Sequence, residues 1–482
     1  MSLSPAYLRT LSARRLAGLI RDGVVTSRSV VDAHIAHAQA VNPTLNAIVE
    51  ERFEQAREEA ERADATTPSG PLHGVPCTIK ESFALEGMPW SAGLTRRRQV
   101  RATEDAVTVR RLREAGAIPL GVTNVSEACM WLESNNRVYG RSSNPYDPSR
   151  IVGGSSGGEG AIVASGASPF GLGSDVGGSI RLPAFFNGVF GHKCSSGLIP
   201  NAGQHPAPDD GGQPLLSTGP ICRRAEDLAL LVDILRGPAD ECASCREMPF
   251  GDPSAVRIDE LVVFDVPDDG VTPVHPALRA AQAKVADALR DGGADVRRVR
   301  LPALEHGIEI WSAAMSDGNT GKSFSEVLGE GEPIPVAREL FRWAFGRSDH
   351  TIPALGLAVL EKVADAMPGR VAQMRELGRE LREELTELLG DRGVLLYPTY
   401  AEPAPKHGMP MLPPTRWAYT ALLNAMEVPS TQIPLGLDSR GIPLGLQVAA
   451  AHGGDDRTIA VALELERRFG GWVLPRRLRT AS

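Results

Sequence analysis

The chain has 482 residues, 42% of them hydrophobic and 23% charged, so it can bury a sizeable core without disulfide or metal staples. Fifty glycines and 37 prolines exceed ordinary usage, yet nothing in the composition marks a collagen, a coiled coil or a disordered tail. With 51 Lys and Arg against 59 Asp and Glu, a net charge of −8 and no basic block, the composition argues against a nucleic-acid or anionic-membrane surface.

Residues 1–65 read as helices. Ser27 or Ser29 caps a helix through VVDAHIAHAQA, where Val30, Val31, Ile35 and Ala38 share a face, and Asn42-Pro43 ends it. EERFEQAREEAERAD supplies a second, charge-rich helix. The opening residues lack the apolar centre of a signal peptide, and no stretch is apolar for long enough to span a membrane. The turn-rich TTPSGPLHG leads into residues 75–79. There Val75, Cys77 and Ile79 alternate as in a strand, and Lys80 stands just past its end. Residues 104–115 read as a helix and 117–122 as the next strand, a rhythm that predicts an α/β fold with parallel neighbours.

From 151 the composition changes. Twelve glycines fall within residues 151–191, separated by the apolar segments AIVASGA and PFGLG, which a flexible linker does not need. The pattern predicts loop 153–158, helix 159–166, strand 169–173, loop 174–178 and helix 179–186, returning two glycine loops to neighbouring places. Downstream, AEDLALLVDIL reads as a helix, ELVVFDV as a strand and 304–370 as helices. Residues 371–389 form an amphipathic helix with Met374, Leu377, Leu381, Leu385 and Leu388 on one stripe. VLLYP, 430–435 and 444–450 are strands, and a helix starts near 456. The six cysteines are too scattered for a disulfide framework. Cys242 and Cys245 make a C-x-x-C with no second pair or H-x₃-H to complete a zinc site, so reduced thiols and no metal are expected.

Three chemistries compete for the glycine-rich segment. Phosphate binding would use backbone N–H groups at helix starts, but the segment lacks Gly-Lys-Ser/Thr and offers only a loose G-x-G-x-x-G. Gly153-Gly154-Ser155-Ser156-Gly157 satisfies a G-x-S-x-G nucleophile elbow, with Ser155 as nucleophile and His407 or His452 as candidate bases. The third reading uses both loops together. The backbone of Val176, Gly177, Gly178 and Ser179, just before a helix start, forms an oxyanion hole, with Ser179 as nucleophile. Lys80 is placed for burial, which lowers a lysine's pKa and frees its lone pair. Ser155 relays the proton between the two, as in Ser-Lys variants of the serine-hydrolase triad.

These residues match a family. GGSSGGEGA, then GSDVGGSIRLPAFFNGVFGHK, resembles the amidase signature enzymes, and the resemblance runs from the N-terminal helices to NAMEVPSTQIPLGLDSRGIPLGLQVAA. It implies that Lys80 in GVPCTIKES is the catalytic lysine, Ser155 the cis-serine and Ser179, 24 residues later, the nucleophile. It also implies that Cys129 lines the acyl pocket. Within the family, NVSEACMWLESNNRVYGRSSNPYD and ERRFGGWVLP are most similar to the second type of fatty-acid amide hydrolase, whose N-terminal membrane span is not expected in this chain.

The resulting expectation is one amidase domain over 1–482, with N-terminal helices (1–65), a signature core (66–250) and a helical pocket cover (304–370). The fold expected is a three-layer α/β/α architecture around a mixed, mainly parallel sheet. In the cover, Trp311, Met315, Phe341, Trp343 and Phe345 are expected to line an apolar acyl or aryl pocket. The implied reaction is hydrolysis of carboxylic amides, extending to esters, anilides and carbamates, without metal or cofactor. The expected partner is a small-molecule substrate, with no nucleic acid and no transmembrane anchor, for a cytoplasmic homodimer. The alternatives are a transamidating subunit of a tRNA-dependent complex and, from another class, a Gly-loop nucleotide-binding protein.

Overall fold

The structure, a computed structural model, describes residues 3–207, 214–242, 244–318, 323–365, 367–409 and 414–478. In chain order its strands are β1 (Ile48–Glu51), β2 (Pro76–Lys80), β3 (Ile118–Thr123), β4 (Asn135–Asn136), β5 (Gly140–Arg141), β6 (Phe170–Asp175) and β7 (Phe190–Lys193). They continue with β8 (Ser217–Cys222), β9 (Val262–Asp265), β10 (Asp295–Arg298), β11 (Gly393–Tyr397), β12 (Ser430–Leu437) and β13 (Pro443–Ala450). β4 and β5 pair alone; the other eleven form one sheet, ordered β1-β3-β2-β6-β8-β7-β12-β13-β11-β9-β10. β2, β3, β6, β7, β8 and β11 are buried at every position, as strands covered on both faces must be.

The sheet is mixed, but not mainly parallel. Parallel pairing joins β2 to β3 and β6, and β9 to β10 and β11. The remaining six pairings of the large sheet are antiparallel. The strand–helix–strand rhythm of residues 75–122 governs one flank and does not carry across the centre. There β12 and β13 are joined by the short turn around Asp438–Gly441, whose Gly441 N–H bonds the Asp438 carbonyl. Such a connection is too short for a parallel crossover.

Residues 1–65 are not helical throughout. The helices Ser27–Leu45 and Phe53–Asp64 flank the edge strand β1, which takes Glu50 and Glu51 out of the helix that EERFEQAREEAERAD predicts. Carboxylates suit an edge, because they discourage pairing with another chain. Thr26, not Ser27 or Ser29, caps the longer helix by accepting from Ser29 N. That helix also runs past Pro43 to Leu45. It ends where Asn46 turns left-handed and the Asn42 carboxamide takes the N–H groups of Ala47 and Ile48.

The glycine segment folds close to its pattern, as the helix Gly157–Ser165, strand β6 and the helix Arg181–Phe186. The cover comprises the helices Gly307–Gly318, Phe324–Leu328, Val336–Ala344 and Ile352–Asp365. The long helix Pro368–Leu389 follows, burying Met374, Leu381 and Leu385 as its stripe requires. The cover has a small core of its own, in which Leu328, Ile334, Val336, Ala354, Leu355 and Ala358 meet Leu94 and Ala128 of the body. A buried clamp fastens it: Glu127 accepts from Thr351 N at 2.7 Å and pairs with His350 Nδ1 at 2.7 Å.

Candidate active site

β2 ends with Lys80 fully buried. Its Nζ donates to Ser155 Oγ at 2.7 Å, Ser174 Oγ at 2.9 Å and the Ser174 carbonyl at 3.4 Å. None of the three acceptors is a carboxylate. Burial therefore pushes the ammonium pKa below its ordinary value, with Cys129, Asp175 and Glu159 opposing from nearby. Ser155 follows a cis peptide bond after Gly154. The loop needs glycine at Gly153, where φ is +81° and a Cβ would stand 2.7 Å from Pro183 N. The two glycine loops meet as expected, with Ser156 N bonding the Ser179 carbonyl at 3.2 Å. Exposure rises from Lys80 (0%) through Ser155 (1%) to Ser179 (8%), so the row leads from the interior to the pocket that Ser179 borders.

The turn after β6 is shaped by a carboxylate. Asp175 accepts from the N–H groups of Gly178 (2.6 Å), Ile180 (3.0 Å) and Arg181 (3.3 Å). It also pairs with the Arg181 guanidinium at 3.0 Å, both side chains being 0% exposed. Burial alone would raise this carboxyl, but Arg181 holds it far below the usual range. Arg181 in turn reaches Gln447, the Thr420 carbonyl and Asn424. The expected oxyanion hole is thereby corrected. The Gly178 N–H is spent on Asp175, leaving Val176, Gly177 and Ser179 as the N–H groups with no described partner. The outer carbonyls are also held, Val176 O by Trp311 Nε1 at 2.7 Å and Gly177 O by Thr420 Oγ1 at 2.9 Å.

Beside Ser179 lies a small, largely apolar pocket. Cys129, Met130, Leu132, Trp311, Leu357 and Trp417 line it, so Cys129 and Trp311 stand where expected. Burial raises the Cys129 thiol pKa and keeps it protonated. Phe341 does not reach the pocket. It is 68% exposed, packed on Phe345 at 5.0 Å between ring centroids. The helix Val336–Ala344 turns Val336 and Leu340 inward against the cover's core, which leaves Phe341, Trp343 and Phe345 outward. Met315 packs, partly buried, in the core that includes Trp311.

Several functional-site residues escaped the sequence reading. Ser174 bonds Lys80, and its place beside Asp175 at a strand end was the available signal. Glu159 sits under the site, accepting from Thr78 Oγ1 at 2.5 Å and Thr123 Oγ1 at 2.8 Å. Burial raises its pKa to about 8. Thr420 and Arg181 act through contacts between distant segments, which no local pattern encodes.

Other readings lose their geometry. Every residue from 151 to 175 is buried, so the first glycine loop is packed inside rather than open to a phosphate. The elbow lacks its histidine: His407 bonds Glu133 and the Pro148 carbonyl, and His452 bonds the Ser196 carbonyl. Cys245 donates to backbone carbonyls of Gly197 and Gly237, the role of a structural thiol. His192, Cys194 and Asp455 cluster closely enough for a metal. However, Asp455 is already taken by Ser195 and His192, and His192 by Thr431. Among the described residues, no helix is long and apolar enough to cross a membrane.

A family model described as Amidase matches residues 29–459. The chain is 45% identical to fatty-acid amide hydrolase 2-A of Danio rerio, over 97% of this chain and 90% of that protein. It is 44% identical to fatty-acid amide hydrolase 2 of Homo sapiens, over 97% and 91%. Among solved structures, 6-aminohexanoate cyclic dimer hydrolase complexed with substrate superposes with a TM-score of 0.82 at 28% identity, covering 98% of this chain and 100% of that one.

Proposed function

The chain belongs to the amidase family, and from that premise we propose that it hydrolyses carboxylic amides through an acyl-enzyme on Ser179. Neutral Lys80 takes a proton from Ser155 Oγ, and Ser155 takes one from Ser179 as Ser179 attacks the substrate carbonyl. The N–H groups of Gly177 and Ser179 receive the negative oxygen. Ser155 then returns a proton to the departing amine, and water releases the acid. The observation that carries this reading is the 2.7 Å bond between Ser155 and a fully buried lysine to which no carboxylate is hydrogen-bonded, one loop from a serine at a pocket mouth.

The pocket's apolar lining supports an apolar acyl or aryl group on the substrate, with esters, anilides and carbamates as further substrates. Its identity with the fatty-acid amide hydrolases favours hydrolysis over a transamidating subunit, which would need partner subunits and an ammonia path. The single eleven-stranded sheet, with β1 and β10 at its edges, supports a single catalytic domain, and the six unpaired thiols support a reducing, cytoplasmic setting. A homodimer completes the proposal, to be read from the mass in sedimentation. A panel of matched amides, esters and carbamates with graded acyl groups tests the activity. Amide cleavage by the wild type and its loss in Ser179→Ala are expected; full activity in Ser179→Ala refutes the mechanism.

A further inference from the structure

Trp311 does more than wall the pocket. It stands on the helix Gly307–Gly318, far in sequence from the turn that carries Ser179, yet its indole Nε1–H donates to the Val176 carbonyl at 2.7 Å. Its ring also meets Trp417 edge-on, with centroids 4.8 Å apart. Both rings close over Gly177, where a Cβ would come within 3.2 Å of Trp311 and 3.3 Å of Trp417. Gly177 is thus enclosed by indoles on one side while its own N–H has no described partner.

A trans peptide unit points its C=O and its N–H in opposite directions. The Val176 carbonyl and the Gly177 N–H belong to one such unit, so the bond to Trp311 turns that N–H away from the indole. The next unit follows the same rule and shows its result. Thr420 holds the Gly177 carbonyl at 2.9 Å, and the opposed Gly178 N–H reaches Asp175 at 2.6 Å.

We propose that Trp311 is a positioning residue that aims the Gly177 N–H at the developing oxyanion, with the acyl group resting on the same indole. This rests on the acyl-enzyme reading above. Acyl groups that press on the ring hold the donor in place, so pocket occupancy feeds into turnover as well as into affinity. Losing an oxyanion donor outright costs about 100- to 1000-fold in kcat. Losing the bond that aims one is expected to cost about tenfold or more.

The experiment compares the wild type with Trp311→Phe, measuring kcat, KM, melting temperature and the rate at which a fluorophosphonate labels Ser179. The expected result is a kcat and a labelling rate that fall together, with KM within about twofold and melting little changed. Should the Phe variant fold poorly, benzothienylalanine at position 311 keeps the bicyclic ring and deletes only the N–H donor. Wild-type kcat and labelling in a folded variant, or a change confined to KM, overturns the proposal and leaves Trp311 as a wall. Wild-type labelling on a residue other than Ser179 instead overturns the underlying acyl-enzyme reading, and the role of Trp311 falls with it.

Discussion

In the proposed mechanism Lys80 serves as the base because no carboxylate is hydrogen-bonded to it. A lysine beside a carboxylate stays charged, whereas a buried lysine facing hydroxyls loses its proton more readily. Its pKa is lowered, and the working form is the neutral one. Activity should therefore rise with pH through that lowered value and level off before the ordinary lysine value of 10.5. Lys80→Ala should cost about 100- to 10,000-fold on an amide and distinctly less on the matched ester, because an amine leaves only after protonation. Equal losses on the two, measured as kcat/KM, would remove the lysine from leaving-group protonation. At this scale the sequence was most informative. The motifs around Lys80, Ser155 and Ser179 led to the expectation that they meet, and the structure puts Lys80 within 2.7 Å of Ser155 and joins the two loops. The misplaced donor, Gly178, shows the limit: which N–H a carboxylate such as Asp175 captures depends on the turn's three-dimensional path.

The elements that cover the site were legible as helices but not in their orientation. Apolar periodicity says that a helix has a buried face, not which partner it meets. Phe341 and Phe345 face outward for that reason, while Leu357, which no motif marked, lines the pocket. The two classes separate in kinetics. Leu357→Ala should change the preference between short and long acyl groups, each methylene being worth about 1–3 kcal/mol in a fitted pocket. Phe341→Ala should leave that preference unchanged and shift stability by no more than about 0.5 kcal/mol. The ratio of kcat/KM for two acyl lengths, with a melting curve for each variant, checks both. β1 was missed by a related ambiguity, because two glutamates beside a helical run read as part of the helix.

Across the whole molecule, the sheet gathers residues that lie hundreds of positions apart. β2 delivers Lys80, β6 delivers Ser174 and the turn to Ser179, and segments beyond residue 300 deliver Trp311 and Thr420. Local patterns gave the α/β class, but the antiparallel centre follows from which strands become neighbours, a tertiary property. The consequence is a site whose Lys80–Ser155 contact lies inside the body, while Trp311 and Leu357 of the helical segment 304–370 supply part of the pocket wall. Its central claim is that Ser179, served by Lys80 through Ser155, is the nucleophile. The most direct measurement is peptide mass spectrometry after reaction with a fluorophosphonate, on the wild type, Ser179→Ala and Lys80→Ala. The account predicts one adduct on Ser179, none in Ser179→Ala, and slowed formation in Lys80→Ala. An adduct on Ser155, or undiminished labelling of Ser179→Ala, would contradict it.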